Sequence, residues 1–270
     1  MKCDFNTMVE ASKDAKSETL DRDSVVKGRQ FRYLIFGVFI IPFVPFFYLQ
    51  GQYTRWKVGR LPDAAGENEG IVEGNGEVIR LLAIGESTVA GIGADNHALA
   101  FTGQFAKHLS LRTGKTIKWS ALGESGITIE RTINELVPKI STNAHDLIVV
   151  ALGANDVFAA KSPDSFCDNM TKLVNILHDK NPKANIFLAN VPMVRDLLAL
   201  PNPLKYVLSK LAKLHHFNMI ERVSKMKDVF YFRDVQRVDD DFFSDGIHPS
   251  VKGYDLWTEQ MVEFYLKELG

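Results

Sequence analysis

From Glu77 onward the chain alternates two kinds of segment, and that alternation restricts the fold more than any other feature. "EVIRLLAIG" (77–85) is an apolar run that stops at a glycine. "TIKWSAL", "HDLIVVALG", "ANIFLANV" and "DVFYFRDV" repeat the pattern further along. Continuous apolar runs of this length suit strands buried on both faces. Between them lie stretches with helical spacing: "HALAFTGQFAKHLSLRTG", "IERTINELVPKI", "SPDSFCDNMTKLVNILHDKN", "PLKYVLSKLAKLHHFNMIERVSKM" and "SVKGYDLWTEQMVEFYLKEL". Ser162-Pro163 is a good helix start, with a hydroxyl to cap and a proline at the first turn. Parallel strands need crossover connections, and helices supply them. The expectation is a three-layer α/β/α sandwich around a five-stranded parallel sheet, flavodoxin-like in plan, over residues 77–270.

The preceding part reads differently. Residues 1–32 interleave Lys, Asp, Glu and Ser and have too little apolar content to bury, so they read as a disordered tail. "YLIFGVFIIPFVPFFYL" (33–49) carries no charge. As a helix it would span about 25 Å, a little under the ~30 Å hydrocarbon layer. Aromatic residues occur all round it, so residues 33–50 are expected to be a single membrane anchor. Pro42 and Pro45 leave a shallow re-entrant insertion open. Lys27, Arg29 and Arg32 before it, with Lys13, Lys16 and Arg22, outweigh Arg55, Lys57 and Arg60 after it. By the positive-inside rule the N-terminus is cytoplasmic and the folded domain lies across the membrane. Residues 51–76, ending in "AAGENEGIVEGNG", read as a linker.

Composition excludes several functions. The formal net charge is −1 and no basic stripe occurs, which speaks against nucleic acid as a partner. Cys3 and Cys167 make neither a disulfide framework nor a metal spacing. No phosphate-binding loop is present, and "GIGADN" (91–96) lacks the third glycine of a dinucleotide fingerprint. No cofactor or metal is expected.

Gly-Glu-Ser occurs twice, at 85–87 and 123–125. In a parallel sheet, ligands bind beyond the carboxyl ends of the strands. Four segments fall there: Ser87 after the first predicted strand, Gly126 after the second, Asn155 after the third, and Asp245 and His248 after the fifth. Each alone reads as a turn or a cap. A serine hydroxyl becomes a nucleophile only with a base in hydrogen-bond reach. Histidine titrates near neutral pH, and an acid three residues before it can hold its tautomer. Histidines 97, 108, 145, 178, 215 and 216 lack such a setting and read as surface or half-buried side chains.

Taken together, the four segments resemble the SGNH (GDSL-type) hydrolases. The blocks are Gly85-Glu86-Ser87-Thr88-Val89-Ala90-Gly91, Ser125-Gly126-Ile127-Thr128, Gly153-Ala154-Asn155-Asp156 and Asp245-Gly246-Ile247-His248-Pro249. The resemblance implies Ser87 as nucleophile, His248 as base and Asp245 as the orienting acid. It implies an oxyanion hole of the Ser87 and Gly126 N–H groups and the Asn155 amide. Ser125 is then a turn residue, and the chain departs from the family pattern at Glu86, where Asp is usual. The implied reaction is hydrolysis of a carboxylic ester, lipid-acyl or acetyl, through an acyl-enzyme. Two alternatives are a catalytically inactive lipid- or glycan-binding module of the same fold and a membrane-tethered scaffold. Residues 191–208, apolar and broken by proline, either line an acyl pocket or pack as core.

Overall fold

The computed structural model describes residues 37–59, 61–192, 194–234 and 238–270. The polar tail 1–32 and the start of the apolar run lie outside the described residues. Residues 49–270 form one compact unit.

The sheet has six strands: β1 (Glu69–Val72), β2 (Val78–Gly85), β3 (Thr116–Gly123), β4 (Leu147–Ala151), β5 (Asn185–Leu188) and β6 (Val229–Tyr231). Their spatial order is β1-β3-β2-β4-β5-β6. All neighbours are parallel except β1, which runs antiparallel to β3. The sheet is therefore mixed and six-stranded, not the five-stranded parallel sheet expected. The extra strand comes from the stretch read as a linker. "EGIV" is too short and too exposed to announce itself by hydropathy, yet it covers the β3 edge, which would otherwise present unpaired backbone groups. Gly70 lets it lie directly on the Trp119 ring, where a Cβ would meet Cζ2 at 2.5 Å.

The helices are α1 (Val44–Val58), α2 (Phe101–Thr113), α3 (Ala154–Phe158), α4 (Pro163–Lys180), α5 (Leu204–Val223) and α6 (Val251–Leu269). Side chains alternate across the strands, with a period of two. Leu81, Ala83, Val149 and Phe187 share one core cluster with Phe101 and Phe105 of α2 and Met261 and Tyr265 of α6. Leu82, Ile84, Ile148, Val150, Ile186 and Leu188 are buried on the opposite face, which α4 and α5 cover. The cap read at Ser162 forms: its side chain accepts from the Ser165 N–H at 3.2 Å. "IERTINELVPKI" is not one helix. It passes from α-helix through a π-turn at Thr132–Leu136 to a 3-10 turn at Val137–Lys139. Pro138 is the cause, since a proline offers no N–H and crowds the carbonyl four residues back.

The membrane anchor is not supported. None of the described helices is long and apolar enough to cross a membrane. Pro42 stands in a 3-10 turn, Ile41–Phe43, ahead of α1. The 15 residues of α1 span about 22 Å, and their second half carries Gln50, Gln52, Arg55 and Lys57. Gln50 donates to the Asn202 carbonyl at 2.8 Å and accepts from the Leu204 N–H at 3.1 Å. The single-pass placement through residues 33–50, and the sidedness drawn from its basic flanks, are withdrawn.

β2 is the strand where the sheet changes direction: the chain goes next to β3 on one side, then to β4 on the other. A crevice opens at the carboxyl end of such a strand, and Ser87 stands there. The loop after Ser87 is fastened to the far end of the chain. Tyr254 Oη donates to the Ile92 carbonyl at 2.6 Å. Gly93, at φ +94°, lies so close to Pro249 that a Cβ would fall 2.2 Å from its carbonyl oxygen. Gly93→Ala is expected to destabilise the protein by about 2 kcal/mol or more. In thermal denaturation that is a midpoint lowered by roughly 4–8 °C; an unchanged midpoint would mean this contact is slack.

Candidate active site

β2 ends at Gly85, which pairs with Gly123 of β3 and Ala151 of β4. The three loops beyond these residues bring Ser87, Gly126 and Asn155 side by side. The fourth segment arrives from β6 and ends at the cap of α6. There the Ser250 hydroxyl accepts from the Gly253 N–H at 3.1 Å.

Within that segment Asp245 and His248 are in direct contact, His248 Nδ1 to Asp245 Oδ2 at 2.7 Å. Asp245 Oδ1 accepts from the Ile247 and His248 N–H groups at 2.8 and 2.7 Å. Burial alone would raise the Asp245 pKa, but the bonds from the His248 ring, the two N–H groups and the neighbouring charge outweigh it and hold it below the usual range. An ionised acid at Nδ1 requires the ring proton there, which leaves the Nε2 lone pair free to act as a base. The Ser87 hydroxyl makes no hydrogen bond to His248; the imidazole's side-chain partner is Asp245.

Ser87 and Gly126 N–H groups donate to no acceptor among the described residues. Gly126 has φ +80° with open space where a Cβ would stand, so no side chain of its own shields its backbone. Ser125 is exposed in the same turn. Asn155 is different. Its amide donates to Ile127 O at 3.0 Å and to Glu86 Oε2, which uses both hydrogens.

Glu86 is the residue whose role the sequence reading missed. It is buried. Its carboxylate accepts from the Ala154 and Asn155 N–H groups, both at 3.0 Å, as well as from the Asn155 amide. Its partners lie 68 and 69 residues further along the chain, so no local pattern announced them. Asp156 is fully buried beside it and accepts from the Ile129 N–H at 3.1 Å. His215 and His216, expected at or near the surface, are buried as well. His215 stacks on Phe166 at 4.3 Å, and His216 Nδ1 meets Tyr231 Oη at 2.8 Å.

Next to the Ser87 and His248 loops lies a cavity of about 100 Å³. Thr88, Pro192, Leu197, Phe242, Ile247 and Trp257 are among its walls. Among the described residues no cluster of His, Cys, Asp and Glu is arranged to hold a metal ion.

Residues 83–256 match the model of the GDSL-like lipase/acylhydrolase family. The chain belongs to this family. As a GDSL-type (SGNH) protein it is a hydrolase acting on ester bonds. No curated protein matches it. Among solved structures, the hydrolase resembles a family 3 carbohydrate esterase from Clostridium thermocellum. Identity is 17%, covering 70% of this chain and 94% of that one, with a TM-score of 0.51. An extracellular lipase from Streptomyces rimosus is similar at 12% identity, 69% and 99% coverage and a TM-score of 0.50. At these identities the likeness is one of fold.

The buried carboxyls have a consequence for stability. Burial is the main cause that pushes Glu86 up to about 7, with Asp156 adding to it and the Asn155 and Ala154 N–H groups opposing. Burial likewise pushes Asp156 up to about 6. An unfolded glutamate titrates at about 4.3. Between those values the folded chain holds the Glu86 proton more tightly. Its contribution to stability is therefore full below the unfolded pKa and is lost as pH rises through the folded one. His97, His145, His215 and His216, whose pKa values burial lowers, act in the opposite direction, so the Glu86 effect shows only by difference. The melting midpoint of the wild type minus that of Glu86→Gln is expected to be larger near pH 5.5 than near pH 8. A difference that does not change with pH would contradict the assignment.

Proposed function

We propose that this hydrolase cleaves carboxylic esters of short acyl groups by a serine mechanism, with Ser87, His248 and Asp245 as the triad. The observation that carries the reading is the 2.7 Å His248–Asp245 bond, on a loop clamped against the loop that follows Ser87. His248 Nε2 takes the Ser87 proton as Oγ adds to the ester carbonyl. The negative oxygen that forms is met by the Ser87 and Gly126 N–H groups, which have no other acceptor among the described residues, and by the Asn155 amide. Collapse expels the alkoxide, which leaves as an alcohol with the proton from His248. Water then repeats the cycle on the acyl-enzyme: His248 takes its proton, the hydroxide adds, and Ser87 leaves with its proton restored. The shared form of the four blocks supports the same assignment.

The cavity supports the choice of acyl group. At about 100 Å³ it is small. A short acyl group, acetyl to butyryl, is the one we assign to it. Pro192 and Leu197 place the segment after β5 on its wall, which favours the acyl-pocket reading of residues 191–208 over plain core.

Ser87→Ala and His248→Ala should each lower kcat on the order of 10⁴-fold, with the double variant little worse, because the pair acts as a unit. Ser125→Ala should change kcat only slightly. Retained turnover in Ser87→Ala would end this reading. Across p-nitrophenyl esters from acetate to palmitate, kcat/KM should peak at the short end; a maximum at long chains would refute the acyl-group assignment while leaving the triad intact.

A further inference from the structure

The Asn155 amide poses a problem for its own assignment. It has two hydrogens, and both already have acceptors, the Ile127 carbonyl and the Glu86 carboxylate. A donor so occupied can serve an oxyanion only by giving one of these up. The two are unequal. A hydrogen bond to an ionised carboxylate is roughly twice as strong as one between neutral groups, and burial strengthens it further. The Ile127 bond is the neutral one, and a developing oxyanion outcompetes a carbonyl.

Glu86 does more than accept one hydrogen. The Ala154 and Asn155 N–H groups point at the same carboxylate, so it grips Asn155 by backbone and side chain at once. It follows Gly85 in sequence and precedes Ser87. The grip thus joins the end of β2 to the end of β4. Asp156, the next residue on α3, pins the Gly126 loop to the same short helix through the Ile129 N–H.

We propose that Glu86 is a positioning residue of the oxyanion hole, holding the Asn155 amide by one hydrogen so that the other, at rest on Ile127, is the one the oxyanion draws off. This rests on the reading of Ser87 as nucleophile and Asn155 as donor. Glu86 touches neither substrate nor reacting atoms and acts through Asn155 alone. Glutamine in its place removes the charge and turns its amide group either against the Ala154 N–H or against the two Asn155 donors, which share one carboxylate oxygen, so the grip is weakened. Aspartate keeps the charge and loses the reach of one methylene.

The test is a double-mutant cycle on a short p-nitrophenyl ester near pH 8, where Glu86, at about 7, is ionised. Glu86→Gln should lower kcat by roughly 10–100-fold with KM within about threefold, as for loss of an interaction made in the transition state. In the Asn155→Ala background the same change should lower kcat by less than about threefold, because the group it acts through is gone. Glu86→Asp should fall between wild type and Glu86→Gln. Thermal denaturation establishes that each variant is folded; if Glu86→Gln is not, Glu86→Asp takes its place in the cycle under the same criterion. Equal losses in the two backgrounds, an effect confined to KM, or unchanged kcat would each overturn the proposal. Failure of the nucleophile reading is seen separately, as turnover that survives Ser87→Ala.

Discussion

A carboxylate has been placed under the loops of this site and kept there by three N–H donors. Burying a charge is costly unless it is hydrogen-bonded, and Glu86 is bonded by two backbone amides and one side-chain amide. The condition is mutual. Glu86 stays buried only while the turn after β4 presents its N–H groups, and that turn keeps its form only while the carboxylate is beneath it. Glu86 directly precedes Ser87 in the chain, so this contact lies where the loop after β2 meets the turn after β4. These bonds only partly offset burial, which pushes the group up to about 7.

The remaining part of the site is delivered from the other end of the chain. β6 lies at the far edge of the sheet, three places from β2, and no strand pairing joins the segment carrying His248 to the loop after Ser87. Contacts between the loops and α6 join them instead. Tyr254, fully buried at the start of α6, bonds to the loop after Ser87, and Gly93 admits the Pro249 carbonyl at a distance no other residue tolerates. The Asp245 carboxylate organises its own turn before it holds the imidazole. One acid therefore sets both the backbone and the tautomer of the proposed base.

The layers and most of the elements were legible because burial leaves a period in the sequence. The strand expectations at 77–85 and 116–122 correspond to β2 and β3, and the α4 cap lies at Ser162 where it was read. Three things were not legible, each for a physical reason. β1 has no hydrophobic signal because it lies on an edge and is fixed by pairing and by one glycine on Trp119. The uncharged run 33–49 satisfied a composition test for a membrane span, but a proline in the 3-10 turn Ile41–Phe43 precedes α1 and polar residues occupy its second half. The work of Glu86 depends on three partners 68 and 69 residues away, a separation at which no local pattern is informative. The candidate site residues could be named from their blocks. The occupancy of the Asn155 amide could not, since it follows from where two loops meet.

The central claim is that Ser87 is the nucleophile, activated by His248. A fluorophosphonate reacts with an activated serine and stays covalently attached, so the labelled residue can be identified by peptide mass spectrometry. The account predicts a single adduct on the peptide containing Ser87, abolished in His248→Ala and unaffected in Ser125→Ala. An adduct on Ser125, or none on a folded and hydrolytically active protein, would contradict it.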